Sequence, residues 1–224
     1  MSPHAPPHNL QHSQGALPPF EALYEQYHAP VYRYLHAHLK HEHDAADLTQ
    51  QVFFQAWKQR QSYESKRGSV ATWLLSIAHH RLVDFYRVSR PSISWEATPE
   101  ISATDQDPEA QVISEEAMAL IKQILEALPQ AEQELLALRF AAGLSSAEIA
   151  SVIGKSEAAT KKQLTRLLQR LREQYRRQEL ETPLPGMLPT QPAFVAALSQ
   201  VYTVPLPTAR LQGIRQDLLT QVRS

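Results

Sequence analysis

"GLSSAEIASVIGKSEAATKKQLTRLLQRL" (Gly143–Leu171) decides how this chain folds. As one amphipathic helix it would only pack. As two helices set at an angle, its second half can enter a DNA groove. Gly143 follows a helical stripe and suits the left-handed residue that ends a helix. Ser145 stands three residues before Glu148, the spacing of a capping box, so a new helix opens there. Gly154 ends it. Ser156 then caps a longer helix, with Glu157 favoured by the positive dipole end. A short helix, a tight turn with glycine and a longer helix make a helix-turn-helix. In that motif the N-terminal residues of the second helix face the bases. Here they are Glu157, Ala158, Thr160, Lys161 and Gln163. Leu164, Leu167, Leu168 and Leu171 point inward, leaving Lys161, Lys162, Arg166 and Arg170 for phosphates. A bundle helix with a solvated basic face is the competing reading.

Outward from this stretch the chain is nearly all helix. It has only six glycines and no sustained period-two alternation. Leu23, Tyr24, Tyr27, Val31, Leu35 and Leu39 form one helical stripe, which Pro30 is expected to kink or split. Asp44 is a candidate N-cap for a helix with the stripe Leu48, Val52, Phe53, Ala56 and Trp57. Ser69 can cap a third, with Val70, Trp73, Leu74, Ile77, Ala78, Leu82 and Phe85 on one side. Helical pattern resumes at Ile113, stops at Pro129 and continues through Leu135, Leu136, Leu138 and Phe140. The expected architecture is all-α, with two small helical domains joined by an acidic flexible linker. Residues 1–19 read as a disordered lead-in and 20–90 as a three-helix bundle. Residues 91–112 are the linker and 113–178 the helix-turn-helix domain. Residues 179–224 form a proline-rich extension with short amphipathic helices. Its runs (Phe194, Val195, Leu198, Val201, Tyr202, then Leu211, Ile214, Leu218, Leu219, Val222) could pack back on the helix-turn-helix domain or bind a regulator.

Charge is unevenly spread although the net value is −1. Residues 66–90 hold Lys66, Arg67, Arg81, Arg87 and Arg90 against Asp84. Residues 155–177 hold eight bases against Glu157 and Glu173. Between these blocks, residues 91–117 carry seven acids and no Lys or Arg. Two basic blocks flanking an acidic connector suggest two polyanion-binding faces. There is no cysteine, which excludes disulfides, thiolate metal sites and a cysteine nucleophile. No apolar run approaches the roughly 20 residues that span a bilayer, so membrane insertion is not expected. The N-terminus lacks the pattern of a secretory signal, and a cytoplasmic location is expected. His36, His38, His41 and His43 invite a metal reading, but spacing alone is weak support, and a solvated helix end suffices. No cofactor, metal or enzymatic motif is expected.

Three blocks in order resemble the extracytoplasmic-function sigma factors of bacterial RNA polymerase. Leu128–Leu171 resembles their fourth conserved region. "DAADLTQQVFFQAWKQ" (Asp44–Gln59) resembles the second-region helix that grips polymerase, and "SVATWLLSIAHHRLVDFYRVSR" (Ser69–Arg90) the promoter-melting helix. The resemblance covers about Phe20 to Tyr175. It implies a non-enzymatic specificity subunit that binds core RNA polymerase and promoter DNA, with an anti-sigma factor as a further candidate partner. It assigns polymerase binding to Asp44, Asp47, Leu48, Gln50, Gln51 and Phe54. For Leu48, Phe53 and Trp57 plain core packing competes, and it is favoured for Trp57. Contact with the −10 element falls to His79, His80, Arg81, Tyr86, Arg87 and Arg90, since bases with aromatics suit single-stranded DNA. Core packing is expected for Trp73 and Phe85. Contact with the −35 element falls to Ser156, Glu157, Ala158, Thr160, Lys161, Lys162, Gln163 and Arg166.

Two departures bear on specificity. His80 stands where relatives commonly have asparagine. "AATKKQ" (Ala158–Gln163) stands where they often show "GTVKSR", so Gln163 replaces an arginine. Glutamine suits adenine edges and arginine suits guanine. The acidic linker reads either as a nucleic-acid mimic threading the polymerase or as a solvated tether. From another class, a helix-turn-helix regulator binding duplex DNA without polymerase is the alternative. An adaptor that binds only protein is a third.

Overall fold

A computed structural model describes residues 17–89, 115–181 and 191–223; among them no strand occurs. Helices α1 (Phe20–Leu39), α2 (Glu42–Lys58) and α3 (Val70–Ser89) form the first bundle. Its core is built from the expected stripes, with Leu23, Leu35, Val52, Phe53, Leu74 and Ala78 buried. Phe53 meets the Tyr24 ring at 4.7 Å, tying α1 to α2. Pro30 does not split α1. Proline removes one ladder bond, but Leu23, Tyr24 and Tyr27 before it and Val31, Tyr32 and Leu35 after it are all buried, which holds one continuous helix. Asp44 is not the N-cap of α2; His41 is, and Asp44 lies in the first turn. Helix α1 ends with the last residue of its stripe, Leu39, because Lys40 takes a left-handed φ of 54°. The next helix therefore begins at Glu42.

The second unit comprises α4 (Glu115–Glu126), α5 (Gln130–Leu136), a π-turn over Ala137–Ala141, α6 (Ser146–Ile153) and α7 (Glu157–Glu181). Gly143 and Gly154 both take positive φ, 74° and 67°. The linker 91–112 and Arg90 lie outside the described residues, as does the lead-in apart from Leu17–Pro19. Leu17, ahead of α1, packs on the first core. Helices α8 (Gln191–Tyr202) and α9 (Thr208–Arg223) form the extension. Helix α8 packs on α4 and the π-turn, whereas α9 packs on α1 and α2. Of the two readings left open for the extension, packing back on the helix-turn-helix domain describes α8, and α9 takes the first bundle instead.

The two units touch directly. The Ser69 Oγ caps α3 by accepting from the Thr72 amide (3.2 Å) and donates to Glu148 Oε1 (2.8 Å). Glu148 is itself the partner of Ser145 in the second unit. Two helix caps, one from each unit, therefore share a hydrogen bond.

Candidate nucleic-acid and partner-binding interfaces

The helix-turn-helix is built by its caps. The Glu148 amide donates to Ser145 Oγ (3.3 Å), while Glu148 Oε2 accepts from the Ser145 amide (3.0 Å). The reciprocal box fixes where α6 starts. Left-handed Gly154 ends α6, and the Ala159 amide donates to Ser156 Oγ at 3.3 Å to open α7. Leu164, Leu167 and Leu171 bury α7 against its unit. Ser156, Glu157, Ala158, Lys161, Lys162 and Arg166 are exposed, and Gln163 is half-buried. Lys162, Arg166 and Arg170 recur every four residues, which aligns them on one ridge. With Ala159, Gln163, Leu167 and Glu132 they line an open groove, in which Glu132 pairs with Arg170. Lys155 donates to Gln163 Oε1 at 3.3 Å, so Gln163 is poised at the exposed rim.

Thr160 is not available to bases: it is fully buried, and its hydroxyl donates to the Ser156 carbonyl at 3.1 Å. Position 160 lies on the stripe continued by Leu164, Leu167 and Leu171. That spacing was the signal that a polar residue here faces inward.

On α2, Asp47 and Gln51 are exposed, and Asp44, Gln50 and Phe54 are half-buried. Leu48 is a correction: it is 3% exposed and belongs to the core with Val52. Trp57 is half-buried against Phe20, and Arg60 lies over its ring at 3.7 Å. Asp47 is not free: Arg210 of α9 reaches its carboxylate at 2.8 Å. The same guanidinium lies against the His43 ring.

On α3, His80 is exposed, and its Nδ1 stands 2.6 Å from the Ser76 carbonyl. Nδ1 must therefore donate, which leaves Nε2 as the acceptor of the neutral ring. Arg87 is exposed and pairs with Asp84 at 3.0 Å. Half-buried Arg81 donates to Gln55 on α2 at 2.8 Å. Tyr86 is half-buried, and its hydroxyl donates to the His38 carbonyl, so its ring serves the α1–α3 packing rather than an open stacking platform. His79 is likewise turned to the protein.

The partner of His79 is Glu134 of α5, a residue that the sequence reading did not single out. Glu134 Oε1 accepts from Tyr34 (2.8 Å) and lies 3.0 Å from His79 Nδ1, while Oε2 lies 2.9 Å from His38 Nε2. Burial pushes the Glu134 carboxyl up, but hydrogen bonds from His38, His79 and Tyr34 overcome this and hold it at about 2. The hydrogen bond to Glu134 raises His79 against the opposing effect of burial. Burial raises Tyr34 well above the ordinary phenol value. This cluster joins α1 and α3 to the second unit. Among the described residues no group of three His, Asp or Glu side chains is placed to hold a metal ion, and His36–His43 forms none. Among them, too, no helix is long and apolar enough to cross a membrane.

Two family models match the chain: Sigma-70 region 2 over residues 23–91 and Sigma-70, region 4 over residues 118–177. The first therefore covers the α1–α3 bundle, and the second runs from α4 into α7. The chain is similar to the ECF RNA polymerase sigma factor SigX of Bacillus subtilis, 30% identical over 161 residues that span 69% of this chain and 82% of that one. It is also similar to the ECF RNA polymerase sigma factor BldN of Streptomyces coelicolor, 31% identical over 144 residues. There the match spans 63% of this chain and 54% of BldN, just over half its length. The ECF RNA polymerase sigma factor SigK of Mycolicibacterium vanbaalenii is 26% identical over 159 residues, 69% of this chain and 80% of that one.

Proposed function

The chain belongs to the extracytoplasmic-function sigma factors of RNA polymerase, and we propose that it divides promoter-specific initiation among three helices. The outward face of α2, with Asp44, Asp47, Gln50, Gln51 and Phe54, docks on core polymerase. Helix α3 offers His80, Arg81 and Arg87 to the −10 element, where charge follows the backbone of the opened strand. Helix α7 enters the major groove at the −35 element. Ala158 and Gln163 lie toward base edges, and Lys161, Lys162 and Arg166 toward phosphates. As a specificity subunit it contributes contacts rather than covalent chemistry, and works in the cytoplasm. An anti-sigma factor that covers α2 or α7 is a further partner in this reading.

One observation carries the reading. The recognition helix leaves its basic N-terminal residues in solvent while its leucines are buried, and the same chain carries a further bundle that matches Sigma-70 region 2. A regulator that reads duplex DNA alone has no use for that bundle. In vitro transcription with core bacterial polymerase across a promoter library tests it. Transcripts from a defined promoter class are expected, and Gln51→Arg is expected to weaken co-purification with core polymerase while leaving the helix content unchanged. Sequence-specific duplex binding with no polymerase-dependent transcript from any template would sink the proposal in favour of the plain regulator.

A further inference from the structure

Helix α9 lies on the face that the proposed function gives to polymerase. Its Leu211, Ile214 and Leu218 are buried where α9 packs on α1 and α2. The buried Tyr24 hydroxyl donates to the Leu211 carbonyl at 2.8 Å. Two ion pairs flank this seam, Arg210 with Asp47 at 2.8 Å and Arg215 with Glu25 at 2.7 Å. A tail that merely covered apolar surface would not need to place its arginine on the exposed acid of α2. The other half of the extension holds the second unit: Phe194 packs beside Tyr175, and Tyr202 stacks on Phe140 at 6.1 Å. Residues 191–223 therefore bridge both units.

The bridged body is too small to read a promoter. About 170 residues in the described body give a radius of gyration of about 16 Å, hence a width of about 40 Å. Elements centred about 25 base pairs apart lie about 85 Å apart along B-DNA at 3.4 Å per step. The units must separate to reach both, and the Ser69–Glu148 bond and the Glu134 cluster must break with them.

We propose that the C-terminal extension is an autoinhibitory clasp, in which α9 occupies in cis the polymerase-binding face of α2 while α8 keeps the second unit closed against the first. The clasp rests on the polymerase reading of α2. Polymerase and α9 compete for Asp47, so apparent affinity falls by the fraction of molecules that are open.

The test uses the full chain in two forms. Arg210→Glu combined with Leu218→Asp sets a carboxylate against Asp47 and a second one in the buried seam, and expels α9. The expected result is about tenfold tighter binding to core polymerase, as for a closed state that outweighs the open one by about ten to one. Conversely, Glu25→Cys with Arg215→Cys, joined by a short thiol cross-linker in a chain that has no cysteine of its own, fixes α9 in place. Binding should be lost on cross-linking and return when a cleavable linker is cut. Circular dichroism checks that both forms stay folded, and the cross-linked arm stands even where the doubly substituted chain unfolds. Equal binding by the open, wild-type and cross-linked forms overturns the clasp alone. Binding by none of them, the released form included, overturns the polymerase reading and the clasp with it.

Discussion

Replacing Glu134 by glutamine removes the charge on which the two units meet. Tyr34, His38 and His79 face this carboxylate, and Tyr86 lies within its electrostatic reach. Its pKa falls from an ordinary 4.5 to about 2. That depression corresponds to about 3 kcal/mol of preference for the charged form in the folded protein. Glutamine keeps one acceptor oxygen for the three donors, so a loss of about 2 kcal/mol is expected near pH 6. The sign follows from the direction of each shift. A depressed carboxyl stabilises above 4.5 and loses its effect as pH falls through the folded value. A raised histidine stabilises below 6.5 and loses its effect as pH rises through its folded value. The difference between wild type and Glu134→Gln should therefore be greatest between about pH 4.5 and 6.5, shrinking on both sides. Between pH 6 and pH 3 it should fall by about 2 kcal/mol. Urea unfolding at a series of pH values measures it, with small-angle scattering to detect separation of the units without unfolding. A difference that stays constant across this range, or a pair of curves that coincide at pH 6, would refute the assignment of Glu134 as the charged hub of the interface.

Gly154→Ala should lower stability by about 1 kcal/mol, since φ is +67° and an added Cβ meets nothing within 4 Å, so backbone strain acts alone; an unchanged melting temperature would contradict the left-handed turn. Gln163→Arg should move the selected −35 sequence from adenine toward guanine at one position, because arginine forks onto guanine O6 and N7. Selection from a randomised promoter library reads this directly, and an identical selected sequence would remove Gln163 from base contact.

What was legible in the sequence was local. The Ser145–Glu148 box, Gly154 and Ser156 fix the helix-turn-helix by chemistry that spans three or four residues. The buried stripes of α1, α2 and α3 follow from the 3.6-residue period. The errors arose where two local rules competed. Pro30 lost to apolar residues buried on both sides of it, and Asp44 lost its capping role because Lys40 took a left-handed turn usually left to glycine. Leu48 is drawn to polymerase by the resemblance, with core packing as its competitor, and Thr160 to the bases by its place early in the second helix, although each sits on a buried stripe. Glu134 left no signal of this kind. Its partners lie 100 residues away at Tyr34 and 55 away at His79, and no periodic pattern reports such a meeting.

Asp47 shows how the two kinds of information fit together. Sequence pattern marked it as an acid that α2 keeps exposed for a partner, and its side chain is indeed engaged, by Arg210 from 163 residues downstream. An exposed ion pair of this sort contributes at most about 1 kcal/mol, so it cannot hold α9 in place. Burial of Leu211, Ile214 and Leu218 does that, at roughly 1.5–3 kcal/mol for each fully buried side chain. The pair sets register instead: it selects which face of the bundle the apolar stripe covers. A polymerase surface that offers its own cation to Asp47 gains as little from the charge as Arg210 does. To displace α9 it must also match the apolar contact, or meet a chain in which that contact has already opened. The strength of the closed state therefore lies in the leucines of α9, and its specificity lies in the acid of α2.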